Sequence, residues 1–187
     1  MHGFLSLAKQ LDRVLRVCAL AGGWMGALLV LVVCYDVVTR YLGVPKLAGL
    51  TSTILQEFEY WLHSALIVLA LGYGYTKQAH VRVDLLRDNF SDKTKYWIEA
   101  IGISLPLLPY SILGVWLSTP YVARSFTSGE ISKSQTGMSD IWILKSGLIV
   151  LFFLLGLAGL SQLIKSIAGI RGLLPDDMHR QVLEGDH

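Results

Sequence analysis

The sequence predicts an all-α integral membrane protein with four transmembrane helices, N- and C-termini in the cytoplasm, and short amphipathic interfacial segments. Two observations carry the fold class and a third carries the orientation. Of the 187 residues, 53% are hydrophobic and only 16% are charged, where a soluble domain carries about 25% charged residues. Those charges leave four uncharged runs, Val17–Tyr35, Tyr60–Thr76, Ala100–Ala123 and Ser146–Ile164, of 19, 17, 24 and 19 residues. A helix rises about 1.5 Å per residue, so about 20 apolar residues cross a hydrocarbon core of roughly 30 Å. The distribution of Lys and Arg between the spans sets the orientation. Eleven lie on the side of the two termini and the middle loop, against five in the first and third loops.

Each element has a local cause. Residues 1–16 read as an amphipathic lead-in, with Phe4, Leu5, Leu7, Leu11, Val14 and Leu15 interleaved with Lys9, Asp12, Arg13 and Arg16. Such a segment is expected to lie at the membrane surface before the chain turns inward. The first apolar run exceeds the 7–15 residues of a signal-peptide core and ends in Asp36-Val-Val-Thr-Arg40, not in a small-residue cleavage site. It is therefore read as a retained helix, in which Gly22-x-x-x-Gly26 lets another backbone approach. Gly43 and Pro45 end it. Thr53-x-x-Gln56 fits a capping box for the second helix, with Glu57 and Glu59 in its first turns. Ser91, followed by Asp92, is the expected cap of the third helix. Pro106 and Pro109 are expected to kink that helix near its middle. The fourth helix is expected to start near Ser139–Asp140 and to stop at Gly169, Gly172 and Pro175. The resulting division is a single four-helix membrane domain over residues 1–172, with spans at about 15–41, 54–77, 97–123 and 141–168. A short polar cytoplasmic tail, 173–187, follows.

Composition and motifs also limit the chemistry. A formal charge of +2 gives no reason to expect a nucleic-acid partner. Cys18 and Cys34 lie 16 residues apart in one span, about 24 Å along a helix and beyond disulfide reach. There is no phosphate-cradling loop and no nucleophile–base pair, which disfavours an enzyme. The span cores hold almost no ionisable group, whereas ion- or solute-moving proteins place such groups there. His63 is the exception. It reads either as a haem or proton-relay residue or as a neutral packing histidine, and the second reading is preferred because no other intramembrane histidine exists in the chain. His80-x-Arg82-x-Asp84 places three polar side chains on one face if the segment is extended, with Val81, Val83 and Leu85 on the other. One His and one Asp are too few for a metal site. That leaves a solvated turn or a docking face. Arg40 can pair with Asp36 four residues away, and Arg40, Glu57, Glu59, Glu130, Asp140 and Lys145 fall at one membrane face.

The stretches Leu55-Gln-Glu-Phe-Glu-Tyr-Trp-Leu-His63 and Tyr75-Thr-Lys-Gln-Ala-His-Val-Arg-Val-Asp-Leu-Leu86 resemble the DctQ family. These are the small membrane subunits of tripartite ATP-independent periplasmic (TRAP) transporters. Ser125-Phe-Thr-Ser-Gly-Glu-Ile-Ser132 and Gly137-Met-Ser-Asp-Ile-Trp-Ile-Leu-Lys145 extend the resemblance, which covers about Ala27 to Lys165. It implies a multi-pass protein of the bacterial inner membrane that scaffolds a large multispanning permease subunit. It also implies a periplasmic substrate-binding protein, contact with membrane lipid, and sodium-driven uptake of organic acids. Sodium and substrate are expected in the large subunit, with no cofactor, metal or catalytic residue in this chain. Carried onto this sequence, Arg40, Glu57, Glu59, Glu130 and Lys145 would order the outer face, and His80, Arg82 and Asp84 the cytoplasmic turn. The competing class is a haem- or quinone-binding membrane anchor of an oxidoreductase. The topology makes a direct prediction. A cysteine introduced at Lys46 reacts with an impermeant thiol reagent from outside the cell and one at Lys93 does not; the reverse pattern overturns it.

Overall fold

The computed structural model describes residues 2–47, 49–78, 90–134 and 137–175. Among them there is no strand. The helices are α1 (His2–Tyr41), α2 (Ser52–Thr76), α3 (Asp92–Gly102), a π-helical turn (Ile103–Leu107), α4 (Leu108–Thr127) and α5 (Ile141–Ile170). α3, the π turn and α4 form one continuous span, so four helices are long and apolar enough to cross a membrane.

The lead-in does not turn along a surface. It forms the first turns of α1, a single helix of 40 residues, about 60 Å long. The reason lies in its buried face: Ala8 and Leu15 have no exposed surface, and Asp12 between them shares that face. α2 is capped by Thr51 and not by Thr53. The Thr51 hydroxyl accepts the Ile54 N–H at 3.2 Å, two residues earlier than the capping-box pattern places it. Ser91 caps α3 as expected, accepting the Thr94 N–H at 3.4 Å. α5 begins after Asp140, whose backbone is left-handed at φ 61°.

The two prolines of the third span act through the π turn. Pro106 has no N–H to offer Gly102, and its ring crowds the carbonyl one turn back. The chain widens here, so the Leu108 N–H reaches the Ile103 carbonyl five residues away. Pro109 sits in the first turn of α4, where a missing N–H costs least. The buried Ser111 hydroxyl gives the Leu107 carbonyl a partner at 2.8 Å.

The helices do not close into a symmetrical bundle. α1, α2 and α5 pack against one another, while α3 and α4 lie against α5. α5 is therefore the shared wall of the whole molecule. Leu15, Leu154 and Ala158 are buried where α1 meets α5, backed by Leu69 and Tyr73 of α2. Close approach depends on small residues, as lipid-embedded helices require. A Cβ at Gly22 would lie 3.2 Å from the Leu66 carbonyl and one at Gly26 would lie 3.3 Å from the Leu66 side chain, so the Gly-x-x-x-Gly pair faces α2. At the end that carries both termini, Tyr96 of α3 is buried against Gly169, where a Cβ would meet its ring at 2.5 Å.

Candidate functional site

Polar side chains cluster at the two ends of the helices. At the end away from the termini, three carboxylates tie the elements together. Asp36, 3% exposed, accepts hydrogen bonds from both Arg40 and Lys46. Lys46 also donates to the Ser52 hydroxyl at 2.6 Å. The pair four residues apart on α1 is thereby extended across the first loop to the start of α2. Glu57 accepts from the Ser132 hydroxyl and from the Met138 N–H at 2.6 Å, joining α2 to the loop before α5. Gly137 makes room for this, because a Cβ there would come within 2.5 Å of the Glu57 carboxylate. Glu130 accepts from Lys145 and from the Ser125 hydroxyl at 2.6 Å. Gly129, at φ 57°, supplies the left-handed residue that lets the chain reverse after α4 and return the Glu130 N–H to the Ser125 carbonyl. The Lys145 ammonium also sits 4.3 Å from the Tyr121 ring centroid. Phe126 and Trp142 meet edge to face at 5.1 Å beside it. The hydrogen bonds from Lys145 and then Ser125 hold the Glu130 carboxyl below its ordinary value of 4.5.

At the opposite end lies a cluster that span counting does not find. The Lys165 ammonium of α5, its side chain 2% exposed, pairs with Asp12 of α1 at 2.6 Å. The Ser161 hydroxyl lies 2.6 Å from the other Asp12 oxygen and 3.3 Å from the Ala8 carbonyl. Gln162 donates to the Thr76 carbonyl of α2 at 3.3 Å. The expectation of a helix bundle nearly free of buried charge is thus corrected at this end. Asp12 and Lys165 flank the uncharged runs, so they count as loop charges until the continuity of α1 brings them together. The signal was present in Ser161-Gln162-x-x-Lys165-Ser166, four polar residues on one face of an apolar helix.

The remaining candidates separate clearly. Glu59 is half-buried and makes no hydrogen bond or ion pair among the described residues, so it does not share the environment of Glu57. It lies near an exposed stripe of α2 formed by Gln56, Tyr60, His63 and Ile67, with Tyr60 69% exposed. His63 is therefore on the outer surface of the helices. No group of three metal-ligating side chains occurs among the described residues. His80, Arg82 and Asp84 lie outside the described residues. Cys18 and Cys34 are free.

Residues 29–169 match the family model for tripartite ATP-independent periplasmic transporters, DctQ component. The chain belongs to the DctQ family. Comparison with curated proteins and with solved structures finds no match. A DctQ protein is a transporter component and not an enzyme, and the family gives no support to the oxidoreductase-anchor reading.

Two predictions follow from the geometry of this DctQ chain. Removing one member of a buried ion pair costs about 3–5 kcal/mol, whereas replacing both with apolar groups is close to neutral. Lys165→Met is expected to lower the melting temperature sharply, and Asp12→Leu with Lys165→Met to restore most of it; failure of the pair to compensate overturns the coupling. The second concerns Glu130. Its carboxyl is held down in the folded state, so it contributes stability above the unfolded value of 4.5, and that contribution is lost as the pH falls through the folded value. The melting-temperature difference between wild type and Glu130→Gln is expected to be constant above about pH 5.5 and to shrink below about pH 4.

Proposed function

We propose that this small TRAP subunit scaffolds the large permease subunit by docking it along the exposed face of α2. The observation that carries the reading is the stripe Gln56, Tyr60, His63 and Ile67, with the carboxylate of Glu59, which has no partner among the described residues, at its edge. Its lower part continues into the apolar run that begins at Tyr60. Lipid chains offer no hydrogen bond to the His63 imidazole inside the apolar run, and Gln56 and Glu59 stand just outside that run on the same side of α2, so polar groups of a neighbouring helix can engage all three. A carboxylate without an internal partner favours a basic or hydrogen-bonding residue opposite it.

In this reading the protein spans the bacterial inner membrane with both termini in the cytoplasm, as the Lys and Arg distribution favours. The outer end, ordered by Asp36–Arg40–Lys46, Glu57 and Glu130–Lys145, then faces the periplasm. There it is placed to help dock the substrate-binding protein. His80, Arg82 and Asp84 belong to the cytoplasmic turn. Sodium coupling and the organic-acid site belong to the large subunit, and this chain supplies support without touching the substrate.

The division between Glu57 and Glu59 makes the proposal testable. Glu57→Ala removes an internal tie and is expected to lower the melting temperature of the chain. Glu59→Ala with His63→Leu leaves the internal contacts alone. It is expected to cut recovery of the large subunit with the tagged small subunit at least about tenfold, equivalent to about 1.4 kcal/mol, and to reduce uptake in parallel. Normal recovery and uptake in that double variant overturn the docking face.

A further inference from the structure

The end of the molecule that carries the termini presents two apolar grooves that flank a single ridge of α5. One groove, about 340 Å³, lies between α5 and the start of α1 and is lined by Phe4, Leu5, Leu160 and Ile164. The other, about 480 Å³, lies between α5 and the third span and is lined by Trp97, Ile101, Ser104 and Leu105. Leu163, Ile167 and Arg171 border both. These three recur every fourth residue, so they form one ridge with Arg171 at its end.

Depth decides what can occupy the grooves. Arg171 lies six residues beyond Lys165, about 9 Å further along the helix axis, at the level of the headgroups. Leu160, which lines the first groove, lies eleven residues before Arg171, about 16 Å further in, and Leu163, which lines both, lies about 12 Å further in. Each groove therefore runs inward from the guanidinium for about 12–16 Å. Trp97, 56% exposed, stands at the mouth of the second groove, where interfacial tryptophans are expected. Arg171 is exposed and makes no ion pair or side-chain hydrogen bond among the described residues. Its planar fork of donors matches a phosphate in two-point geometry.

We infer that this surface is a binding site for one anionic phospholipid of the leaflet that faces the termini. Its phosphate is held by Arg171 and one acyl chain lies in each groove, astride the Leu163–Ile167 ridge. The two grooves account for two chains, and the cation at their junction, without a partner among the described residues, accounts for a charged headgroup. An occupant that was only apolar would leave the guanidinium without a counter-charge. The site is built from this chain alone and does not depend on the proposed docking of the large subunit on α2.

The test uses the full chain in nanodiscs of mixed phosphatidylglycerol and phosphatidylcholine, followed by native mass spectrometry of the released protein. Wild type is expected to retain one phosphatidylglycerol in preference to phosphatidylcholine by about fivefold or more, of order 1 kcal/mol. Arg171→Lys keeps most of that preference, and Arg171→Gln brings the two lipids to near parity. Ser104→Trp, which fills the second groove, lowers retention of both lipids. Arg13→Gln removes the same charge from an exposed position at the same end and is expected to change nothing. Absence of a retained lipid, absence of headgroup preference, or equal loss in Arg13→Gln overturns the site. So does displacement by millimolar inorganic phosphate, which would show a site for the free ion.

Discussion

The ammonium of Lys165 is buried among the helices, where only the protein can neutralise it, and much of the architecture follows from that requirement. The counter-charge is Asp12, 153 positions away in sequence. α1 must therefore run straight from His2 into the bilayer so that Asp12 faces α5. Ser161 saturates the second oxygen of the carboxylate, and Gln162 ties the same stretch of α5 to the end of α2. A pair whose ammonium is so enclosed, its carboxylate 26% exposed, adds little net stability compared with an apolar substitute, because desolvation opposes the Coulomb attraction. It does penalise every arrangement in which either partner is left alone. These contacts join α1 to α5 through the ion pair and α5 to α2 through Gln162 at the same end of the molecule.

The opposite end is ordered by a different device. There the carboxylates of Asp36, Glu57 and Glu130 each gather two donors and connect a helix to a loop or to the next helix. α4, which leans on α5 and little else, is held at this end by Glu130–Lys145 and by the Phe126–Trp142 contact. Between the two polar ends the helices meet through glycines and serines, such as Ser111 and Ser118 on the buried face of α4. This packing is open. It leaves the stripe of α2 and the flanks of α5 uncovered, which is what a support for a larger membrane subunit and a site for a lipid both require. A closed four-helix bundle would have no such faces to give.

Several parts of this were legible in the sequence. The four spans follow from uncharged runs. The Asp36–Arg40 pair follows from spacing, the Ser91 cap from residue type, and the disturbance at Pro106 from the missing N–H. The partners of Glu57 were not legible, because they are a serine and a backbone N–H from a loop about 80 residues away. Glu57 and Glu59 look equivalent in sequence. Two residues on a helix are about 200° apart, so one turns inward to the loop and the other outward. The surface reading of residues 1–16 failed because amphipathic character marks a helix with two environments without saying what the second one is. In this chain it is α5 and not the bilayer surface.

The sequence by itself determined that the chain crosses a membrane four times and which family it belongs to. Both depend on local composition and short motifs, and hydrocarbon acts on each segment separately. The tertiary structure alone decided which charges meet, which face of α2 stays open, and where Arg171 stands relative to its grooves. Those relations depend on the rotation and depth of one helix against another, and they are set by the matching of buried polar groups and small residues between distant segments.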